Sequence, residues 1–244
     1  MIPKDLLEKY NLPENMAAEA IESAISTVLS ASFGTTCLIR LGNDLEIISL
    51  NLTGGDNQPA VLVDPTTLSR HLQRQIRHRI KQELEKRQAI HEGNLLRSLR
   101  GQVVKGEIRQ VSRTGDVTLA LETEDHFRQL TLTGTCPVRY IPKKERGGLL
   151  LGEIRTFLVT SILPVQQNGR YKVHIRLSRT SKVLPELLLR QTTEIQEIHC
   201  ARRIAGAFSE IESSRFLPKD AIKTVSRELK ERIIVRVLQT KKSA

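Results

Sequence analysis

The stretch that decides the C-terminal architecture reads Thr193-Glu-Ile-Gln-Glu-Ile-His-Cys-Ala-Arg-Arg-Ile-Ala-Gly-Ala-Phe-Ser-Glu-Ile-Glu212, then Phe216-Leu-Pro-Lys-Asp-Ala-Ile-Lys223, then Arg227-Glu-Leu-Lys-Glu-Arg-Ile-Ile-Val-Arg-Val237. An apolar strand runs into the Arg202-Arg203 pair and a second strand follows. A short connector then leads to an amphipathic helix and a closing strand. Successive side chains of a strand alternate between its faces, so Arg202 and Arg203 leave on opposite sides and at least one is exposed. The helix, Asp220 to Glu231, sets Ile222, Val225 and Leu229 on one side. Ile233 to Val237 reads as the last strand. In the connector Pro218 lacks an N–H and Leu217 is bulky, so bare backbone is not on offer there, although Lys219 supplies a charge.

Upstream, from Gly101, the apolar period shortens to two. Five strands are expected: Gln102 to Val111, Val117 to Leu121, Arg128 to Thr133, Glu153 to Leu163 and Tyr171 to Ser178. Turns fall at Arg113-Thr114-Gly115-Asp116 and Gln166-Gln167-Asn168-Gly169, and Lys143-Lys144-Glu145-Arg146 forms a short insert after the third strand. Five short strands with that insert outline an OB barrel. In the last strand Tyr171, Val173, Ile175 and Leu177 point one way, and Lys172, His174 and Arg176 the other. An inward apolar row and an outward basic row suit a barrel lying on a phosphate backbone.

The N-terminal part has a helical period. Asn15 is placed to cap a helix from Met16 to Ser32, with Ile21, Ile25, Val28 and Leu29 on one face. A hairpin follows, Thr36 to Leu41 and Leu45 to Leu50, around Gly42-Asn43-Asp44. Gly54-Gly55-Asp56-Asn57 marks a loop. Asp64-Pro65-Thr66-Thr67 then caps a long helix to Glu92, with Leu68, Leu72, Ile76, Ile80 and Leu84 as its apolar stripe. Arg70, Arg74, Arg77, Arg79, Lys81, Lys86 and Arg87 make the rest of its surface basic. Core on one side and water on the other accounts for this pattern. Gly93-Asn94 is expected to end the helix.

Five Phe, three Tyr and no Trp in 244 residues mean that the cores are built from Ile, Leu and Val. Cys37, Cys136 and Cys200 lie far apart, and their odd number argues against a disulfide framework, as in a reducing cytosol. No signal peptide and no membrane-length apolar run are read. The net charge of +11 is unevenly placed. Residues 1–92 hold ten Lys/Arg against twelve Asp/Glu (net −2), residues 93–180 fifteen against seven (+8), and residues 181–244 thirteen against eight (+5). A nearly neutral head on a cationic body points to a polyanion as partner of the body.

Catalytic patterns are missing. There is no Gly-rich phosphate loop, Cys-x-x-Cys, His-Glu-x-x-His or Gly-x-Ser-x-Gly, and an enzyme is not expected. His71 and His78 read as surface histidines. The phosphate-facing candidates are Lys105, Arg109 and Arg113 on the first barrel strand and its turn. Lys172, Arg176 and Arg179 stand on or just past the last barrel strand, and Arg202, Arg203 and Lys219 in the C-terminal segment. Base-stacking aromatics are few in the barrel: Phe127, Tyr140, Phe157 and Tyr171, of which Tyr171 alternates with core residues. Weak, salt-sensitive binding with little sequence preference follows from this composition.

The order of the C-terminal segment is the plan of a KH RNA-binding module, whose connector ordinarily carries Gly-x-x-Gly against the nucleic-acid backbone. Here Leu217-Pro218-Lys219-Asp220 stands in that place. Nearly the whole chain resembles the NusA family of bacterial transcription elongation factors. Ile21-Glu-Ser-Ala-Ile25, the hairpin and the long basic helix resemble that family's polymerase-docking N-terminal domain. Gly101-Gln-Val-Val-Lys-Gly-Glu-Ile108 and Gly115-Asp-Val-Thr-Leu119 resemble its S1-type OB barrel. Ile175-Arg-Leu-Ser-Arg-Thr180 matches its Leu-Ser-Arg-Thr at the barrel exit, and Glu194-Ile195 with Ala201-Arg202-x-x-x-Gly206 the start of its first KH domain. The glycine connector is lost, a second KH domain is not expected because the chain stops at Ala244, and no acidic repeats follow.

The resemblance implies an α+β protein in three parts: residues 1–92 an N-terminal α/β head with a long helix, 98–180 a central five-stranded S1-type barrel, 185–240 a degenerate KH-like α/β subdomain. It implies bacterial RNA polymerase as partner of residues 1–92 and nascent RNA as partner of the basic S1 and KH-like regions. No membrane, metal or cofactor is implied, and the free chain is expected to be a cytoplasmic monomer. Two other functions fit the residues: a free-standing RNA-binding protein or chaperone acting without polymerase, and a structural subunit that binds no RNA.

Overall fold

A computed structural model describes residues 9–10, 12–42, 45–50, 61–122 and 132–238. The protein is α+β, and its described residues form two compact units. One comprises residues 1–95 with 164–173, the other residues 96–163 with 174–244. The expected head, residues 1–92, falls within the first of these. The expected parts 98–180 and 185–240 instead share one unit, and 164–173 groups with the head.

In the first unit, α1 (Glu14–Phe33) is followed by β1 (Thr36–Leu41), β2 (Leu45–Leu50), the short β3 (Val61–Leu62) and α2 (Arg70–Leu95). The β1–β2 register pairs Leu41 with Leu45 and Thr36 with Leu50, and β2 pairs antiparallel with β3. The expected turn residues Asn43 and Asp44 and the loop Gly54 to Asn57 lie outside the described residues. Ala20, Ile21, Ala24, Ile25 and Leu29 of α1 meet Leu72, Ile76, Ile80 and Leu84 of α2 over Cys37 and Ile47 of the sheet. Small alanines on α1 let this layer close tightly.

Three capping expectations are corrected. Asn15 is not the cap of α1, because Pro13, with its fixed φ and no N–H to satisfy, starts the helix and its carbonyl accepts from Ala17 N at 3.0 Å. Asp64 caps a short 3-10 turn, Pro65–Thr67, rather than the long helix. Ser69 serves α2 instead, its hydroxyl accepting from Leu72 N at 3.3 Å. Nor does Gly93-Asn94 end α2. The helix continues to Leu95 and passes into a 3-10 turn, Leu96–Leu99, whose two leucines are buried. Burial of Leu96 and Leu99 outweighs the propensity penalty of about 1 kcal/mol for one glycine.

Strand β1 is the edge of its sheet, and α1 satisfies outward backbone groups of its two ends, Cys37 and Leu41. Glu22, Ser26 and Ser30, four residues apart, reach it in turn. Glu22 accepts from Leu41 N at 2.7 Å, Ser26 donates to the Cys37 carbonyl at 2.6 Å, and Ser30 accepts from Cys37 N at 2.9 Å. Side chains placed on an edge in this way hinder strand addition there.

Next come β4 (Val103–Val111), β5 (Val117–Glu122), β6 (Thr133–Cys136), β7 (Ile154–Gln167) and β8 (Arg170–Ser178), which lie in the second unit except for residues 164–173. The strand order is β4-β5-β6-β8-β7, and β7 pairs again with β4, so the five-stranded sheet closes on itself. The third strand begins later than expected, at Thr133, and the expected residues 128–131 lie outside the described residues. Val104, Ile108, Val117, Leu119, Cys136, Phe157, Val159, Ile175 and Leu177 are its buried apolar residues. Gly134 is required by close approach, since a Cβ there would lie 2.5 Å from Leu177 Cδ1. At the β7–β8 turn Asn168 and Gly169 hold φ of 53° and 75°, as a two-residue hairpin needs.

After β8 come α3 (Leu184–Thr193), β9 (Ile198–Ile204), β10 (Phe208–Ser213), α4 (Lys219–Leu229) and β11 (Arg232–Val237). The sheet order is β11-β10-β9, with β10 antiparallel to β9 and parallel to β11. Leu184 and Leu189 of α3, Val225 and Leu229 of α4, and Ile198, Cys200 and Ile211 of the sheet form one cluster with Leu158 of β7. Leu217 of the connector joins the same cluster. The closed sheet and the αββαβ segment thus share a core.

Candidate nucleic-acid interface

Two of the nine cations read as phosphate contacts are interior residues. Arg179 is fully buried, and its five N–H donors all have acceptors. Nε and Nη2 grip Glu145 at 2.6 and 2.9 Å, Nη1 reaches the Thr156 carbonyl at 2.7 Å and Glu228 Oε1 at 3.1 Å, and Nη2 also bonds the Glu228 carbonyl at 3.0 Å. Glu145 comes from the short insert, Thr156 from β7 and Glu228 from α4, so this one guanidinium ties three segments together. Burial pulls the Arg179 pKa down, but Glu145 and then Glu228 outweigh it and the net shift is upward. Arg203 is likewise turned inward, onto Glu231 at 3.0 Å and the Ser181 carbonyl. Glu231 also accepts from Ser209 Oγ at 2.7 Å and Gly206 N at 3.0 Å. For Arg203 burial prevails over Glu231, and its pKa is lowered. Arg179 and Arg203 are withdrawn as RNA contacts, because their charges are neutralised inside the fold.

The other candidates keep to the surface. Arg202 is exposed, with its guanidinium 5.5 Å from the Phe208 ring, so the alternation read at the Arg-Arg pair holds. Lys105, Arg113 and Lys219 are exposed and have no ion-pair partner among the described residues. Arg109 is exposed but paired with Glu107 at 2.8 Å. Arg176 is half-buried, aligned with Thr135 of β6, and its Nε is buried without a hydrogen-bond partner. Lys172 is exposed and belongs to the first unit. Lys105, Arg109 and Arg113 follow one another on β4 and its turn, whereas Arg202 and Lys219 belong to the αββαβ segment.

The four barrel aromatics provide little stacking surface. Phe157 is fully buried beneath Arg179, Tyr171 is half-buried, and half-buried Tyr140 carries the Arg139 guanidinium 4.9 Å from its ring. Phe127 lies outside the described residues. The aromatic that sequence reasoning missed is Phe216, which is 86 % exposed. Its neighbours explain how it is held out. Leu217 is packed into the core, and Pro218 accepts from Ile222 N at 3.2 Å as α4 begins. On the other side Arg215 N donates to Ser213 Oγ at 3.3 Å, and Ser214 donates to Glu197 at 3.0 Å. The adjacency of a lone Phe to Arg215 and Lys219 was the available signal.

All three cysteines are buried thiols, and burial pushes Cys136 up to about 12, so it stays protonated and unreactive at neutral pH. His71 and His78 are exposed and hydrogen-bonded to Gln75 and Gln82 one turn on. Among the described residues no cluster of His, Cys, Asp and Glu could hold a metal ion, and no helix is long and apolar enough to cross a membrane. No family model and no curated protein matches the chain.

Proposed function

We propose that this chain is an RNA-binding transcription factor of the NusA kind. Residues 1–92 dock on bacterial RNA polymerase, and the cationic remainder holds nascent RNA so as to modulate pausing, termination or antitermination in the bacterial cytoplasm. In this reading the closed five-stranded sheet is an S1-type OB barrel and the αββαβ segment a degenerate KH-like module. The observation that carries it is the contrast between the two surfaces.

The head has a net charge of −2 over residues 1–92 and an exposed apolar row. Leu38 of β1, Ile48 of β2 and Leu62 of β3 stand in cross-strand register, and Leu38 and Leu62 are 52 % and 72 % exposed. An exposed apolar row on a nearly neutral surface suits a protein partner. Residues 93–244 carry a net +13, with Lys105, Arg113, Arg202 and Lys219 on the surface. Cations without partners and without a defined base-reading pocket suit sequence-tolerant phosphate binding.

Two measurements on the full chain test the halves separately. Co-elution with bacterial core RNA polymerase in the absence of RNA tests the head. Titration of a labelled single-stranded RNA at increasing salt tests the body, and several neutralised phosphates make log K fall by about 0.7 per phosphate with log salt. Polymerase binding without RNA binding, or a salt-independent RNA affinity, rejects the RNA half. RNA binding without co-elution replaces the proposal with a free-standing RNA-binding protein.

A further inference from the structure

We infer that Phe216 and the exposed face of α4 form a single-strand RNA site. Phe216 stacks on an unpaired base, and Lys219, Lys223, Arg227 and Lys230 track the phosphates. The inference rests on the reading that this chain binds RNA, and names where and how.

The four cations are exposed and recur at intervals of four, four and three residues, so they line one stripe of α4 and its C-cap. Each four-residue step advances about 6 Å along the axis. The opposite side of the helix, Ala221, Val225 and Leu229, is buried. Asp220 interrupts the stripe, its approach to Lys223 a loose 4.0 Å between two exposed side chains, and Glu153 acts on Lys230 at the far end. A cation in the first turn opposes the helix dipole, so Lys219 is not placed there for the sake of the helix.

Phe216 marks the N-terminal end of this stripe, beside exposed Arg215. An aromatic ring on a pinned backbone segment, flanked by cations, is what a sequence-tolerant single-strand binder presents to successive bases. A glycine connector meets a nucleic-acid backbone with its own backbone. Leu217 and Pro218 close that route here, and the residue before them presents a ring instead.

The test uses the full chain and a twelve-nucleotide oligouridylate carrying one 2-aminopurine. Phe216→Leu keeps an apolar side chain of similar size but removes the ring, and its high exposure means that the fold is undisturbed. We expect single-strand affinity to fall about 5- to 100-fold and the stacking-dependent quench of 2-aminopurine to disappear. K223E with R227E is expected to weaken binding and lower the salt slope by roughly 0.7 for each phosphate no longer neutralised. Unchanged affinity and quench in Phe216→Leu overturn the inference while leaving RNA binding in place. An unmodified chain that binds no RNA overturns both the inference and the reading beneath it.

Discussion

Arg179 shows how far a residue's neighbourhood can differ from its place in the sequence. It follows a strand whose outward residues are basic, and its charge placed it among the surface candidates although strict alternation continues it on the inward row of Tyr171, Val173, Ile175 and Leu177. Its guanidinium instead meets Glu145, 34 positions earlier, and Glu228, 49 positions later. No local period reports such distant partners. A buried pair loses heavily when one member is removed, because the other charge stays behind without its partner. Arg179→Met is therefore expected to destabilise the second unit by about 3–5 kcal/mol in denaturant unfolding, against a few tenths for an ordinary surface arginine. Adding E145L, which removes the stranded carboxylate, should recover most of that loss. An Arg179→Met protein of unchanged stability, with weakened RNA binding, would restore the surface reading. The Arg202–Arg203 pair was legible by contrast, since one period-two argument covers both residues. Which of them turns inward is decided by Glu231, and that was not.

At the scale of elements, periods predicted most of the described helices and strands; α3 and the two-residue β3 were not read, and the other misses lie at ends and joints. Pro13 displaces Asn15, Ser69 takes over from Asp64, and α2 runs through Gly93 because Leu96 and Leu99 are buried just beyond. The connector before α4 is the most instructive joint. Its sequence says that a glycine clamp is gone, but not what replaces it. Leu217 has become a core residue, in the cluster of Leu184, Ile211, Val225 and Leu229. Restoring a glycine by Leu217→Gly is thus expected to cost about 3–5 kcal/mol of stability through the cavity left behind, with no gain in RNA affinity. Thermal unfolding and an RNA titration of the same variant check both. Tighter RNA binding at undiminished stability would mean that the connector remains a backbone clamp. Phe216 was not legible because a lone loop aromatic has no period, and only the burial of Leu217 fixes its outward direction.

For the whole molecule, the sequence divided the charge and the structure divides the surface. The boundary near residue 92 was legible in the change of period from helix to strand. The union of barrel and αββαβ segment was not, since it depends on Leu158 entering the later core and on Arg179 reaching Glu228. The head's apolar residues could not be sorted in the sequence into core and interface, because both obey the same alternation. In the structure Cys37 and Ile47 are buried while Leu38 and Leu62 are exposed, and the exposed pair is the face proposed for the partner. The most direct measurement is size-exclusion co-elution of the full chain with bacterial core RNA polymerase, at moderate salt without RNA, beside a Leu38→Asp, Leu62→Asp variant. The account predicts that the unmodified chain elutes with polymerase and that the variant, folded and still binding RNA, elutes alone. An unmodified chain that elutes apart from polymerase while binding RNA would contradict it.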